Sequence, residues 1–169
     1  MRDAKKKDKK RTTHNAPRTT HDAQRTTHNA PRNIEVRLEK GFRGISVLWI
    51  KKVVATTLTV ENVRRRSVSV LLTGDKEIRK INKQYLNHDY ATDVISFEFK
   101  DESDYLGDIV VSVDTAASFA KELGIPLKEE VARYLVHGTL HLLGYDDKKK
   151  TDRRNMFKRQ EEILKKVMS

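Results

Sequence analysis

The sequence predicts an α+β fold of the layered α/β kind, in which helices pack on a small mixed β-sheet of about four strands. Three observations lead to this prediction. The chain has 169 residues, which is the length of one ordinary domain. Segments in which apolar and polar residues alternate, as in half-buried strands, are interspersed with segments whose apolar residues recur at helical spacing. The two kinds of segment alternate irregularly, with two strands adjacent in the middle and helices grouped at the end.

In the first half of the chain, the pattern of apolar residues predicts two strands and two helices. Apolar residues alternate with polar ones over 34–38 and again over 68–72, which predicts a strand at each place. Between these strands, apolar residues at helical spacing over 49–58 predict a helix. Asp75 follows the second strand and is expected to cap a helix whose apolar residues share one face as far as Tyr85.

The second half begins with two strands and a helix. The strands are expected at about 93–99 and at about 106–112, where the run Ile-Val-Val is typical of a buried strand. A helix is then expected from Val113 to Gly124, since glycine commonly ends helices in the left-handed conformation.

Two further helices complete the predicted fold. Pro126 is expected to open the first of them, because its missing N–H costs nothing in the first helical turn. That helix is expected to end at Gly144, in a left-handed C-terminal cap. The last helix is expected at 151–167, with Met156 and Phe157 on its apolar side.

The first 32 residues form a basic tail that we expect to be disordered, followed by a single domain over 33–169. Residues 1–32 hold ten Lys or Arg against three Asp, and so carry +7 of the chain's net charge of +11. Residues 11–31 are three copies of a seven-residue unit, RTTHNAP, RTTHDAQ and RTTHNAP. A coiled coil is not expected from this period, because Met1 and four alanines are the tail's only apolar residues. The positive charge favours phosphate backbones as partners.

The composition excludes several classes of protein. There is no cysteine, which excludes disulfides, thiolate metal sites and a catalytic thiol. No apolar run approaches the roughly 18 residues that a membrane span needs, and the N-terminus lacks the apolar core of a secretion signal. We therefore expect a cytoplasmic protein with no membrane partner.

The most informative segment is YLVHGTLHLLGYDD, residues 134–147. His137 and His141 are four residues apart in a predicted helix, so their rings project from one face a turn apart. This spacing allows two imidazoles to hold one metal ion. A glycine then ends the helix, and Asp146 and Asp147 follow within reach of the same ion. Two nitrogens and one carboxylate leave a position open for water, which is typical of a catalytic metal site at the end of a His-bearing helix.

Gly138 favours a hydrolase that is not of the HExxH peptidase type. A glycine inside a helix costs about 1 kcal/mol relative to alanine, so it usually marks a close approach of the backbone to a neighbour. Gly138 also stands where an HExxH peptidase has the Glu that acts as its general base. The expected nucleophile is therefore a metal-bound water. A metal-dependent peptidase remains an alternative.

Three motifs resemble those of the YbeY family of bacterial rRNA maturation factors and single-strand endoribonucleases. They are ATDVISF, LGDIVVS and HGTLHLLGYDD, and the resemblance covers roughly residues 68–164. It implies a metal-dependent endoribonuclease that acts on single-stranded RNA in rRNA 3′-end maturation and ribosome biogenesis. The implied partners are rRNA and ribosomal subunit proteins, and no nucleotide cofactor is implied.

The resemblance also implies a set of metal ligands. These are His137, His141 and Asp147, the last of which stands where the family has a third His. One divalent ion is expected, with zinc first, while the oxygen ligand also admits iron, manganese or nickel.

A second departure from the family concerns charge near the reacting phosphate. The family places an Arg after the aromatic residue, whereas here Leu86 follows Tyr85 and cannot stabilise negative charge on a phosphoryl group. His88 and Arg133 are the candidate catalytic cations, the first close to Leu86 in sequence and the second one helical turn before His137. Leu86 favours the other alternative function, a ribosome-assembly RNA-binding factor with a structural metal and little nuclease activity.

Four residues within or beside the motifs have two interpretations each. Asp93 and Asp108 are candidates for a catalytic role or for capping and backbone hydrogen bonds. Phe97 and Tyr145 are candidates for stacking on bases, with packing in the core favoured.

Overall fold

A computed structural model describes residues 33–39, 42, 44–99 and 104–169. The predicted disordered tail, residues 1–32, lies outside the described residues. Within them the elements follow in the order β1 (Ile34–Leu38), α1 (Val47–Val60), β2 (Ser67–Thr73), α2 (Asp75–Leu86), β3 (Val94–Glu98), β4 (Tyr105–Ser112), α3 (Val113–Leu123), α4 (Leu127–Leu142) and α5 (Lys150–Met168). The α+β fold with four strands in one sheet, predicted from the sequence, is confirmed in this part of the chain.

The sheet is mixed, with the strand order β1-β2-β4-β3. β1, β2 and β4 are parallel, and β3 runs antiparallel to β4 at the edge. One face of the sheet lies against the larger core, in which α4 packs against the sheet and against α1, α3 and α5. The other face carries a smaller cluster of Ile78, Ile95 and Val110 beneath α2. The His-bearing helix α4 therefore contacts two strands of the sheet and three other helices. None of the helices in the described residues is long and apolar enough to span a membrane.

Two helix starts differ from the sequence prediction. Gly74, not Asp75, is the N-cap of α2. The Asp75 carboxylate accepts hydrogen bonds from the hydroxyls of Ser112 and Thr115, while the Asp114 carboxylate accepts from the Asp75 N–H at 2.9 Å. The Asp75 side chain therefore bonds to the start of α3. The free N–H of Asp75 is capped by Asp114, a residue distant in sequence. Pro126 is the N-cap of α4 rather than its first residue, with ψ of 137°.

Two aromatic residues predicted on buried helix faces are exposed. Phe157 is 46% exposed and Tyr85 is 62% exposed. In α5 the buried positions are Met156, Gln160, Ile163, Leu164 and Val167. Their 3–4 spacing defines a stripe that leaves position 157 at its edge. Tyr85 lies at the rim of α2, where its ring makes an edge contact with Phe97 at 5.4 Å.

Candidate metal centre

The two histidines of α4 face each other near the end of the helix. Their Nε2 atoms are 3.0 Å apart, and their ring planes are nearly perpendicular. Asp147 reaches the same place from the segment after the helix. One carboxylate oxygen of Asp147 and one nitrogen of each ring lie within 4.8 Å of one another. The structure therefore brings together the three predicted ligands in a group that could hold a metal ion.

The hydrogen bonds on the far side of each ring determine which nitrogen is free. Nδ1 of His137 lies 2.9 Å from Oε1 of Gln160, and Nδ1 of His141 lies 2.9 Å from the backbone oxygen of Tyr145. Both partners are acceptors, so each neutral ring carries its proton on Nδ1 and its lone pair on Nε2. Two lone pairs at this distance repel each other unless a cation lies between them. A tetrahedral metal with nitrogen ligands at about 2.0 Å separates them by about 3.3 Å, so the arrangement fits a bound metal.

The protonation state of His137 also suits a ligand. Burial lowers the pKa of His137, and the neighbouring His141 acts in the same direction, while the hydrogen bond to Gln160 opposes them. A lowered pKa favours the neutral imidazole, which is the form that binds metals.

The turn after α4 orients His141 and returns the chain to the site. Gly144 has φ of +87°, and its N–H donates to the His141 carbonyl at 2.9 Å. The Tyr145 N–H donates to the Leu140 carbonyl at 3.1 Å. These two bonds form a Schellman motif, as the glycine at this position predicts. The turn places the Tyr145 carbonyl oxygen 2.9 Å from Nδ1 of His141. Gly144 therefore ends the helix and also helps to orient the His141 ring.

The structure distinguishes the two aspartates that follow the turn. Asp146 is exposed, and its carboxylate accepts a hydrogen bond from the Lys148 N–H at 3.1 Å, which lowers its pKa. Asp147 is half-buried, and Arg153 Nε donates to its backbone oxygen at 2.8 Å. Asp147 therefore points toward the histidines, while Asp146 stabilises the turn.

Gly138 is the point where α4 touches the sheet. A Cβ at this position would lie 2.8 Å from Cγ2 of Ile109, 3.0 Å from Oγ of Ser96 and 3.1 Å from Cγ2 of Val94. The Ser96 hydroxyl also donates to the Gly138 carbonyl at 3.1 Å. The close approach indicated by a glycine in a helix is present, and it sets the height of both histidines above the sheet.

The metal group lies where two clefts meet, and His141 and Asp147 line both. The larger cleft, of about 610 Å³, is also lined by Leu86, His88, Tyr90 and Lys148. The smaller one, of about 440 Å³, is also lined by Arg133, Tyr134, His137, Phe157 and Gln160. A chain-like molecule could therefore enter along one cleft and leave along the other.

The two candidate cations have different surroundings. His88 is exposed in the larger cleft and stacks on Tyr90 with ring centroids 5.3 Å apart. Arg133 lies in the smaller cleft beside His137, but its guanidinium is ion-paired with three carboxylates. These belong to Glu129, Glu130 and Glu161. The charge of Arg133 is therefore balanced within the protein.

None of the four residues for which the sequence allows a catalytic or stacking role belongs to the group of ligands. Asp93 Oδ1 accepts from the Val94 N–H at 2.8 Å and so holds the start of β3. Asp108 accepts from the Tyr105 hydroxyl at 2.6 Å on the sheet face opposite α4. The Tyr145 hydroxyl donates to Glu61 at 2.9 Å, and Phe97 packs on the smaller cluster.

Gln160 belongs to the site and was not predicted from the sequence. It is 6% exposed, and it is the polar member of the otherwise apolar stripe of α5. A polar residue at a buried helical position was the available signal, since such groups need hydrogen-bond partners. The position of that partner on another helix could not be read from the pattern.

Comparisons with known proteins show which sequences this chain resembles. A family model described as "Endoribonuclease YbeY" matches residues 33–168. A protein named Endoribonuclease YbeY from Persephonella marina is 37% identical over 142 residues, covering 80% of this chain and 93% of its own length. Another of that name from Aquifex aeolicus is 42% identical over 118 residues, covering 68% and 79%.

A solved structure gives the same fold. The solution structure of TM1509 from Thermotoga maritima matches with a TM-score of 0.59 and 25% identity, covering 79% of this chain and 88% of that one. The family model spans nearly all of the residues that follow the basic tail, and the three motifs lie within it. The chain belongs to the YbeY family.

Proposed function

We propose that the protein is a metal-dependent endoribonuclease that cleaves single-stranded RNA during rRNA 3′-end maturation in the cytoplasm. One observation carries the proposal: the Nε2 atoms of His137 and His141 face each other at 3.0 Å beside Asp147, where two clefts meet. Relatives over most of the chain bear the name endoribonuclease. Ribosomal subunit proteins are proposed as further partners.

The proposed roles of the residues follow from their contacts. His137, His141 and Asp147 would hold one divalent ion, and Gln160 and the Tyr145 carbonyl orient the two rings. Such an ion supplies Lewis acidity, which activates water and stabilises charge on a phosphoryl oxygen. Zinc is the proposed metal, and the carboxylate ligand admits iron, manganese or nickel.

The clefts support a single strand as the substrate. The ligands lie between two clefts rather than at the end of one, so a strand can extend on both sides of the cleaved bond, as an endonuclease requires. Exposed rings of Tyr90 and Phe157 line the two clefts. Unpaired bases can stack on such rings, whereas the bases of a duplex already stack on each other. The segment 148–158 adds cations for the phosphates, at Lys148, Lys149, Lys150, Arg153, Arg154 and Lys158.

The proposed function is tested by substrate and metal dependence together. Labelled single-stranded RNA, a duplex of the same sequence, single-stranded DNA and casein are incubated with the protein, with and without EDTA and then with added zinc. We expect internal cleavage of the single-stranded RNA that EDTA stops and zinc restores. Cleavage that continues in protein shown by elemental analysis to be metal-free would contradict the metal dependence. Cleavage of casein would indicate the peptidase alternative.

A second candidate function is favoured by Leu86. This side chain is 44% exposed and lines the larger cleft with His141, so an apolar group stands where a cation would contact phosphate. A ribosome-assembly factor that binds RNA and a structural metal would accept such a site. In the assay above, this function predicts RNA binding without cleavage.

Substitution of Leu86 tests the missing charge. We expect Leu86→Arg to raise the single-turnover cleavage rate roughly tenfold, because a flexible cation recovers part of the effect of a preorganised one. Leu86→Gln is the matched control, long and polar but neutral, and should change the rate little. His88→Ala should lower the rate if His88 supplies the cation. Unchanged rates in both Leu86→Arg and His88→Ala would contradict the charge hypothesis and favour the assembly factor.

A further inference from the structure

We propose that Arg133, Glu161 and Gln160 form a hydrogen-bonded relay that fixes the tautomer of His137 and so prepares its Nε2 to bind the metal. The metal belongs to the proposed function, whereas the relay rests on contacts between the protein's own side chains. In this proposal Arg133 is a positioning residue and does not bind substrate phosphate.

The relay is continuous from α4 to α5 and back. Arg133 Nε donates to Glu161 Oε1 at 3.1 Å. Gln160 Nε2 donates to the same Glu161 oxygen at 3.1 Å. Gln160 Oε1 then accepts from His137 Nδ1 at 2.9 Å. Each link is within hydrogen-bond distance, and the relay ends on Nδ1 of His137, across the ring from the nitrogen that would bind the metal.

The charge of Glu161 decides which way the Gln160 amide points. An amide side chain can present either its oxygen or its NH₂ group to a neighbour. The carboxylate of Glu161 can only accept, so the NH₂ group of Gln160 must face Glu161 and its oxygen must face His137. His137 then keeps its proton on Nδ1, and its lone pair lies on Nε2. A reversed amide would offer a donor to Nδ1, move the ring proton to Nε2 and block metal binding.

Arg133 holds Glu161 in the required place. The Glu161 side chain is 49% exposed and could otherwise turn to solvent. The Arg133 side chain is only 22% exposed, and it is anchored by ion pairs to Glu129 and the buried Glu130 on its own helix. The guanidinium is thus fixed before it reaches Glu161. This explains why a cation next to the metal group is surrounded by three carboxylates.

Variants of Gln160 test the last link. Gln160→Leu removes the acceptor, and we expect the zinc affinity, measured by competition with a chromogenic chelator, to fall about 10- to 100-fold. Gln160→Glu alone would set a second carboxylate against Glu161, so it is combined with Glu161→Gln. This double variant keeps an oxygen that accepts from Nδ1 and a donor between residues 160 and 161, and it should retain most of the affinity. If the double variant loses as much affinity as Gln160→Leu, or if Gln160→Leu binds zinc as the wild type does, the proposal is wrong.

Variants of Glu161 and Arg133 test the remaining links. Glu161→Leu removes the oxygen that accepts from both Arg133 and Gln160, so either orientation of the Gln160 amide becomes accessible. ¹⁵N NMR of the metal-free protein should then show His137 as a mixture of tautomers, with several-fold weaker zinc binding. Arg133→Met should have the same two effects. Glu162→Leu is the matched control: it makes the same change one residue later and breaks an ion pair with Arg159. It should leave both measurements unchanged.

The outcomes separate the relay from the proposed function. Weaker RNA binding by Arg133→Met, with unchanged zinc affinity and tautomer, would overturn the relay and make Arg133 a phosphate-binding residue. A wild-type protein that binds zinc but cleaves no RNA would contradict the proposed function only. The affinity and tautomer measurements use no RNA, and they decide the relay in either case.

Discussion

Replacing both histidines with alanine, in His137→Ala/His141→Ala, is expected to reduce bound metal from one equivalent to near zero and to abolish RNA cleavage. The two Nε2 atoms, 3.0 Å apart, are the only nitrogen ligands of the group found in the described residues. A single His→Ala change should already lower occupancy well below one equivalent. Asp147→Ala should weaken binding less, because two imidazoles on one helical turn remain. Elemental analysis of protein dialysed against limiting zinc measures each occupancy.

The neighbouring aspartate provides a control for the ligand experiment. Asp146→Ala removes a carboxylate one residue away that is exposed and bonded to the Lys148 N–H. It should leave the metal content unchanged and cost a little stability in the turn. Full occupancy in the double histidine variant, or equal losses in Asp146→Ala and Asp147→Ala, would refute the assignment of ligands.

Gly138→Ala is expected to lower the free energy of unfolding by about 1–3 kcal/mol, the usual cost of overpacking a core. In an exposed helix the same change would stabilise the protein by about 1 kcal/mol. Here the new Cβ would lie 2.8 Å from Cγ2 of Ile109, in the middle of the sheet, so α4 or β4 must move. Because α4 carries both histidines, zinc affinity should fall together with stability.

Urea unfolding measures the stability change at Gly138, with Ser118→Ala as the control. Ser118 is an exposed position in α3, and its change to alanine should alter stability by less than about 0.5 kcal/mol. If the Gly138→Ala variant is as stable as the wild type, the contact between α4 and the sheet at this position is not tight. Gly138→Val should be worse than Gly138→Ala, since it adds two methyl groups at the same contact.

The local features of the site could be predicted because they depend on neighbours in sequence. A spacing of four within a helix is enough to place His137 and His141 on one face, whatever the rest of the fold does. Gly144 predicts its own left-handed turn, since residues with a Cβ are disfavoured there. Gly138 indicates a close approach, although not the partner. The resemblance to the YbeY family, carried by three motifs in order, is confirmed by the family match.

The type of each element, the mixed sheet and the spacing of the two rings can be predicted from the sequence. Which groups from distant elements meet at these rings depends on the tertiary structure. Gln160 on α5 reaches His137 on α4, and the cation of Arg133 is balanced by a carboxylate that also orients that glutamine. Periodicity indicates which face of a helix is buried, whereas hydrogen bonds between helices depend on how those faces pack together. The same reason explains why Phe157, at the edge of a buried stripe, lines a cleft instead of the core.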